Sequence, residues 1–166
     1  HFYDATTSAP RGTIPLRATT LARSPDGKRL GGWKGRAFAM EIQSRELLYD
    51  LDLEELSAIS PNFERAARRE ANDIVFFDPS LASAAGPRVG LGKRYPTMLA
   101  FSPDGRSLLL GDGSGQVDRL DSTTGKVLGT VKLSRPLTSV VAWDAARIFA
   151  AAKNAGGSTS LLELDA

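Results

Sequence analysis

The stretch Asp112-Gly113-Ser114-Gly115, with Asp118 after it, places carboxylates, a hydroxyl and small residues where a calcium ion or a phosphate could be held. Calcium loops alternate several oxygen ligands, and phosphate cradles lead into a helix N-terminus. Here a strand-like run, Gln116 to Leu120, follows instead, so the stretch reads as a hairpin turn. Asn154 to Ser158 has the same character. The hydroxyl cluster Asp121-Ser122-Thr123-Thr124-Gly125 could line a substrate pocket. Its residue types equally suit a turn in which Asp, Ser and Thr cap backbone donors and Gly reverses the chain. Asp4 to Thr7 reads as an earlier version of that turn.

Catalysis requires a nucleophile beside a base, a carboxylate pair or a metal. The chain has a single histidine, His1, and no cysteine, so no catalytic residue, metal-ligand set or cofactor motif is assigned. Most acidic residues fall in turns, and Glu54-Glu55 reads as a solvated loop.

The elements carrying these turns are short strands. Phe101-Ser102-Pro103-Asp104-Gly105 punctuates a run of apolar and β-branched segments from Leu99 to Leu133, too closely spaced for helices and suited to antiparallel hairpins. Pro fixes one turn dihedral, Asp bonds its own backbone, and Gly accepts positive φ. The box recurs as Ser24-Pro25-Asp26-Gly27, and Ser60-Pro61-Asn62 is a decayed copy between the two. A fourth copy without Ser-Pro runs Val140 to Ile148. Repeats of about 40 residues with several short strands each indicate propeller blades.

With strands lettered a to d outward from the propeller axis, Phe2 to Asp4 is a strand c and a short d lies near Ile14 to Leu16. The second unit takes Thr20–Arg23, Arg29–Trp33, Ala37–Ile42 and Glu46–Tyr49. The third takes Ser57–Ile59, an undecided b, Ile74–Asp78 and a d near Arg88–Leu91. The fifth takes Ser139–Trp143, Ile148–Ala152 and Ser160–Leu164. The units divide at 1–18, 19–52, 53–95, 96–134 and 135–166, the first and last partial, within one domain. Asn62 to Ala71 contains good helix formers where strand b belongs. An in-register strand is the first reading because both flanks keep the pattern; a helical insertion is the alternative. The expected fold is all-β, a propeller segment of four-stranded antiparallel blades. Beginning and ending on a strand c, it should form part of a larger ring of about seven blades.

The chain resembles the WD-repeat and related prokaryotic YVTN-type β-propellers. The resemblance rests on Phe101 to Arg106, on Leu120 to Lys126, and on the pairs Tyr3-Asp4, Phe77-Asp78, Leu120-Asp121 and Leu164-Asp165 that close strands c. It covers nearly the whole chain. No Trp-Asp pair ends a strand c and no Gly-His pair precedes a strand a, so the buried His, Ser/Thr and Asp network of WD repeats is not expected. The resemblance implies a bacterial interaction or sensing module, noncatalytic, with a protein partner. The alternative is a propeller enzyme, lactonase-, lyase- or glycosidase-like, with a central-channel site completed by further blades.

Charge supplies the surface. A net charge of +2 is too small to imply nucleic acid, and no run of about 18 apolar residues suggests a membrane span. The first residues lack signal-peptide character, and the absence of cysteine fits a cytoplasmic chain. In a propeller the d–a and b–c connections emerge at one end and the Ser-Pro-Asp-Gly turns at the other. The first end collects Arg17, Lys34, Arg36, Lys93, Arg94, Arg135 and Lys153, with Trp33 and Tyr95. Basic and aromatic side chains together suit an acidic peptide or protein. Further blades or fused domains of the same protein are the other expected partners.

Overall fold

The computed structural model describes residues 2–3, 6–8, 10–12, 20–33, 36–53, 56–81, 85–142, 147–153 and 158–165, all in strands, turns and loops. Strands β1 (Phe2–Tyr3) and β2 (Pro10–Gly12) form a two-stranded antiparallel sheet. The expected partner of β1 near Ile14 to Leu16 lies outside the described residues; Pro10–Gly12 pairs with it instead.

A four-stranded meander follows: β3 (Thr20–Arg23), β4 (Arg29–Trp33), β5 (Arg36–Glu41) and β6 (Leu47–Asp52). The next comprises β7 (Ser57–Ile59), β8 (Ala66–Glu70), β9 (Asp73–Phe77) and β10 (Ala85–Gly90). The third comprises β11 (Pro96–Phe101), β12 (Ser107–Asp112), β13 (Gln116–Asp121) and β14 (Val127–Lys132). A three-stranded sheet ends the series with β15 (Leu137–Ala142), β16 (Arg147–Lys153) and β17 (Thr159–Asp165).

Three copies of one turn join the first two strands of the four-stranded sheets, and the same hydroxyl closes each. The Ser24, Ser60 and Ser102 hydroxyls accept from the backbone N–H of Arg29, Arg65 and Ser107 at 2.8, 2.9 and 2.9 Å. They donate to Asp26, Asn62 and Asp104 at 2.6, 2.7 and 2.6 Å. All three serines are buried, where an unpaired donor is costly. The fourth position is left-handed in each copy. Gly27 has φ 74° and Gly105 φ 71°, but in the decayed copy Phe63 takes that conformation at φ 61°. Its ring packs on Gly31 of the preceding sheet, filling the space a Cβ there would need.

Asn62 to Ala71 holds no helix. Residues Ala66–Glu70 form β8, paired on one side with Ser57–Ile59 and on the other with Asp73–Phe77. Sheet pairing on both flanks and full burial of Ala66 and Ala67 outweigh local helix propensity. The period of two then sends Arg68 and Glu70 to one face and Arg69 to the other. On the first face Arg68 and Arg88 both donate to Glu70, at 2.8 and 2.7 Å.

From the first four-stranded sheet onward, each pair of consecutive sheets encloses its own core. Ala37, Ala39 and Tyr49 meet Phe63 and Ile59 at the first boundary. Phe76 meets Phe101 edge-on at 6.4 Å at the second, with Leu108, Leu110 and Leu120 around them. Leu109 and Val117 meet Val140 and Ile148 at the third. The inner strands β7, β11 and β15 adjoin in turn, so the sheets fan about a common axis.

Candidate interaction surface

One end of the fan gathers the d–a and b–c connections. Leu91 N–H bonds the Asn72 carbonyl and Leu133 N–H that of Gly115, each 2.9 Å, tying a d–a loop to a b–c turn. The other end gathers the a–b and c–d turns: Ser122 N–H donates to the Arg106 carbonyl and its hydroxyl to that of Gly105.

Among the cations expected at the first end, Arg36 and Arg94 are held within the chain. Arg36 donates to Asp50 and Asp52 on the adjacent strand, at 3.0 and 2.7 Å, and these carboxylates raise its pKa. Arg94, in the loop between β10 and β11, bridges Asp112 at 3.3 Å and also bonds Asp118. Both carboxylates are buried. Asp112 further accepts from the N–H of Ser114 and of Gln116, and Asp118 from Gln116 and Thr130. Burial alone would raise the Asp112 carboxyl, but the Ser114 and Gln116 hydrogen bonds and the Arg94 charge outweigh it and hold it low. No histidine takes part, so an arginine–carboxylate network braces this blade.

Lys93 and Tyr95 project to solvent from the same loop, and Tyr95 is 68 % exposed. The guanidinium of Arg69 lies 4.2 Å from the Tyr95 ring centroid and donates to its hydroxyl at 3.0 Å. A cation stacked behind an exposed ring fixes that ring and leaves its remaining surface available. Arg135 is exposed in the loop before β15. Trp33 and Lys153 close β4 and β16 at this end, while Arg17 and Lys34 lie outside the described residues. The structure thus brings Lys93, Arg94 and Tyr95 into one loop. Arg69 was not legible as a member, because the bounds and register of strand b in this blade were undecided.

The opposite end holds a feature the sequence did not announce. A cleft of about 630 Å³ opens between the first two four-stranded sheets, lined by Arg29, Tyr49, Phe63, Arg65 and Asp78 among others. Phe63 in the glycine position was its one sequence signal.

No family model matches the chain, and no curated protein matches it. Among solved structures it is similar to the β-propeller domain of Cps50 (Swd1) from Myceliophteria thermophila, with 14% identity, a TM-score of 0.56, and coverage of 90% of this chain and 54% of that one. It is also similar to U3-55K, with 12% identity, a TM-score of 0.59, and coverage of 91% and 53%. The fold is that of a β-propeller, present as a run of consecutive blades. The chain spans about half the length of the structures it matches.

Proposed function

We propose that this chain is a noncatalytic interaction module whose d–a and b–c end binds an acidic protein or peptide through Tyr95, Lys93 and Arg69, with Arg135 at its margin. The observation that carries the reading is the exposed Tyr95 ring fixed on Arg69 beside an exposed lysine. A rigid aromatic with cationic neighbours supplies apolar area at little entropic cost and charge for carboxylates. Arg36 and Arg94 are each paired with two carboxylates, so their charge serves the blade and not the partner. The inner strands, Thr20–Arg23, Ser57–Ile59, Pro96–Phe101 and Leu137–Ala142, contain no carboxylate, which favours a scaffold over a channel enzyme.

The half-length coverage supports a second part of the reading: the chain works within a longer propeller, its remaining blades being its constant partner. A prokaryotic YVTN-type origin rests on the sequence resemblance alone. Selection from a random peptide library on the immobilised protein tests the recognition claim. Enrichment of Asp- and Glu-rich peptides that Tyr95→Ala and Lys93→Glu fail to retain is the expected result. Enriched peptides without acidic bias, or retained equally by both variants, would overturn it.

A further inference from the structure

The cleft at the a–b and c–d end stands apart from the Tyr95 surface. Its volume, about 630 Å³, falls in the range of small-molecule sites. Its walls combine the apolar faces of Phe63, Phe76 and Phe77 with charged groups from both sheets.

At its edge sits a polar group with no hydrogen-bond partner among the described residues. Tyr49 is 6 % exposed, and its hydroxyl is buried with no partner among the described residues. Burial pushes that hydroxyl's pKa up, with Arg29 opposing and Asp78 adding, so it stays a neutral O–H. The two charges that act on it both line the cleft. A desolvated hydroxyl donor is expensive unless an acceptor reaches it.

The other polar groups favour an acceptor too. Arg29 spends one terminal nitrogen on the Asn62 carbonyl and Glu64, at 2.8 and 2.9 Å. Arg65 gives one to the Ser122 carbonyl of the following sheet, at 3.0 Å. Each guanidinium keeps further N–H donors. The acidic groups are largely engaged: Glu64 accepts from Arg29 and Asn62, and Asp78 from the N–H and hydroxyl of Ser80. Donors are therefore in surplus. The carboxylates nevertheless oppose a second anionic charge, which limits the ligand to one.

We propose that this cleft binds a monocarboxylate carried on an aromatic or aliphatic body, its oxygens accepting from Arg29 and Arg65 and, once the Tyr49 side chain shifts toward the cleft, from its hydroxyl, and its body lying against the phenylalanines. Guanidinium forks suit carboxylate geometry, and the hydroxyl completes the coordination. A free carboxylic acid and the C-terminus of a peptide share this chemistry.

Ligand-observed saturation-transfer NMR and calorimetric titration with 3-phenylpropionate, its neutral amide, and acetyl-Ala-Phe with a free carboxylate test the proposal. The acid should bind and the amide should not. Tighter binding of the dipeptide would identify a peptide terminus as the source, and tighter binding of phenylpropionate a free acid. Tyr49→Phe should weaken binding about tenfold while leaving the protein as stable or more stable, because it deletes an unsatisfied donor and keeps the ring. Absence of binding by both acids, equal binding of acid and amide, or equal affinity in wild type and Tyr49→Phe would overturn it. A thermal melt of Tyr49→Phe matching or exceeding the wild type shows that the variant is folded.

Discussion

The Phe63 ring occupies the place that a side chain on Gly31 would require, so a turn of one blade is keyed into the second strand of the blade before it. Phe63 accepts a left-handed backbone at φ 61° to make that contact, while the corresponding Gly27 and Gly105 make no such insertion. Gly31→Ala should therefore destabilise the fold by about 2 kcal/mol through overpacking. Phe63→Ala should cost about 3 kcal/mol through lost burial, with no relief of the left-handed backbone, because Ala keeps its Cβ. In the Phe63→Ala background the Gly31→Ala cost should shrink to near zero. Urea unfolding of both single variants and the double variant measures this coupling; additive costs would mean that the two residues do not compete for one space.

Arg94 should behave as part of the blade's frame. Arg94→Ala leaves Asp112 and Asp118 buried without their cation, and an uncompensated buried charge is costly. The expected loss is about 2 kcal/mol, read as a lower urea midpoint with unchanged slope. Removal of one carboxylate as well, in Arg94→Ala/Asp112→Asn, should recover part of that loss. A double variant as unstable as the sum of its single changes would count against the pairing.

Acid should undermine the turns before the cores. Ser102 hydroxyl donation, opposed by burial and assisted by the Arg106 N–H, holds the Asp104 carboxyl below its ordinary value. Asp112 is also lowered, and both serve turns of the same blade. In such cases the unfolded chain binds protons at higher pH than the folded one, so the stabilisation is complete above the ordinary carboxylate pKa of about 3.9 and fades as pH falls through the lowered folded values. Asp104→Asn keeps an acceptor for Ser102 but removes the titration. Its stability should consequently change less steeply than that of the wild type below about pH 4, as read by denaturant unfolding across pH.

Gly115 has a different reason to be glycine. Its φ is 92°, and a Cβ would meet the Leu133 carbonyl oxygen at 2.6 Å as well as that of Arg135. Backbone atoms cannot step aside as a side-chain tip can. Gly115→Ala should cost about 2 kcal/mol or more and shift the loop carrying Arg135, whereas Gly113→Ala, with open space around its Cβ position, should be mild. Paired thermal melts with equal losses would refute the distinction.

Repetition made most of the fold legible. Three copies of one serine-closed turn fixed where the first strand of each blade ends, and Thr20–Arg23, Arg29–Trp33 and Ser57–Ile59 match their expected bounds. Strand β8 was ambiguous because Ala, Arg and Glu favour helices locally, and only pairing with β7 and β9 decides the matter. The surface was less readable. Charge counting placed Arg36 and Arg94 with the basic end, but their carboxylate partners lie across strands, a relation that register sets and spacing does not reveal. The arginine–carboxylate brace is hidden in the sequence for the same reason, since Arg94, Asp112 and Asp118 meet only through strand register. Tyr49 carried no sequence signal, since its hydroxyl's lack of a partner among the described residues shows only in the folded chain.

The most direct measurement of the central claim is calorimetric titration of a library-selected acidic peptide into wild type, Tyr95→Ala and Lys93→Glu at two salt concentrations. Tyr95→Ala should weaken binding about tenfold, and Lys93→Glu should weaken it while reducing its salt dependence. Affinities and salt dependences matching the wild type in both folded variants would contradict the assignment of this surface to partner recognition.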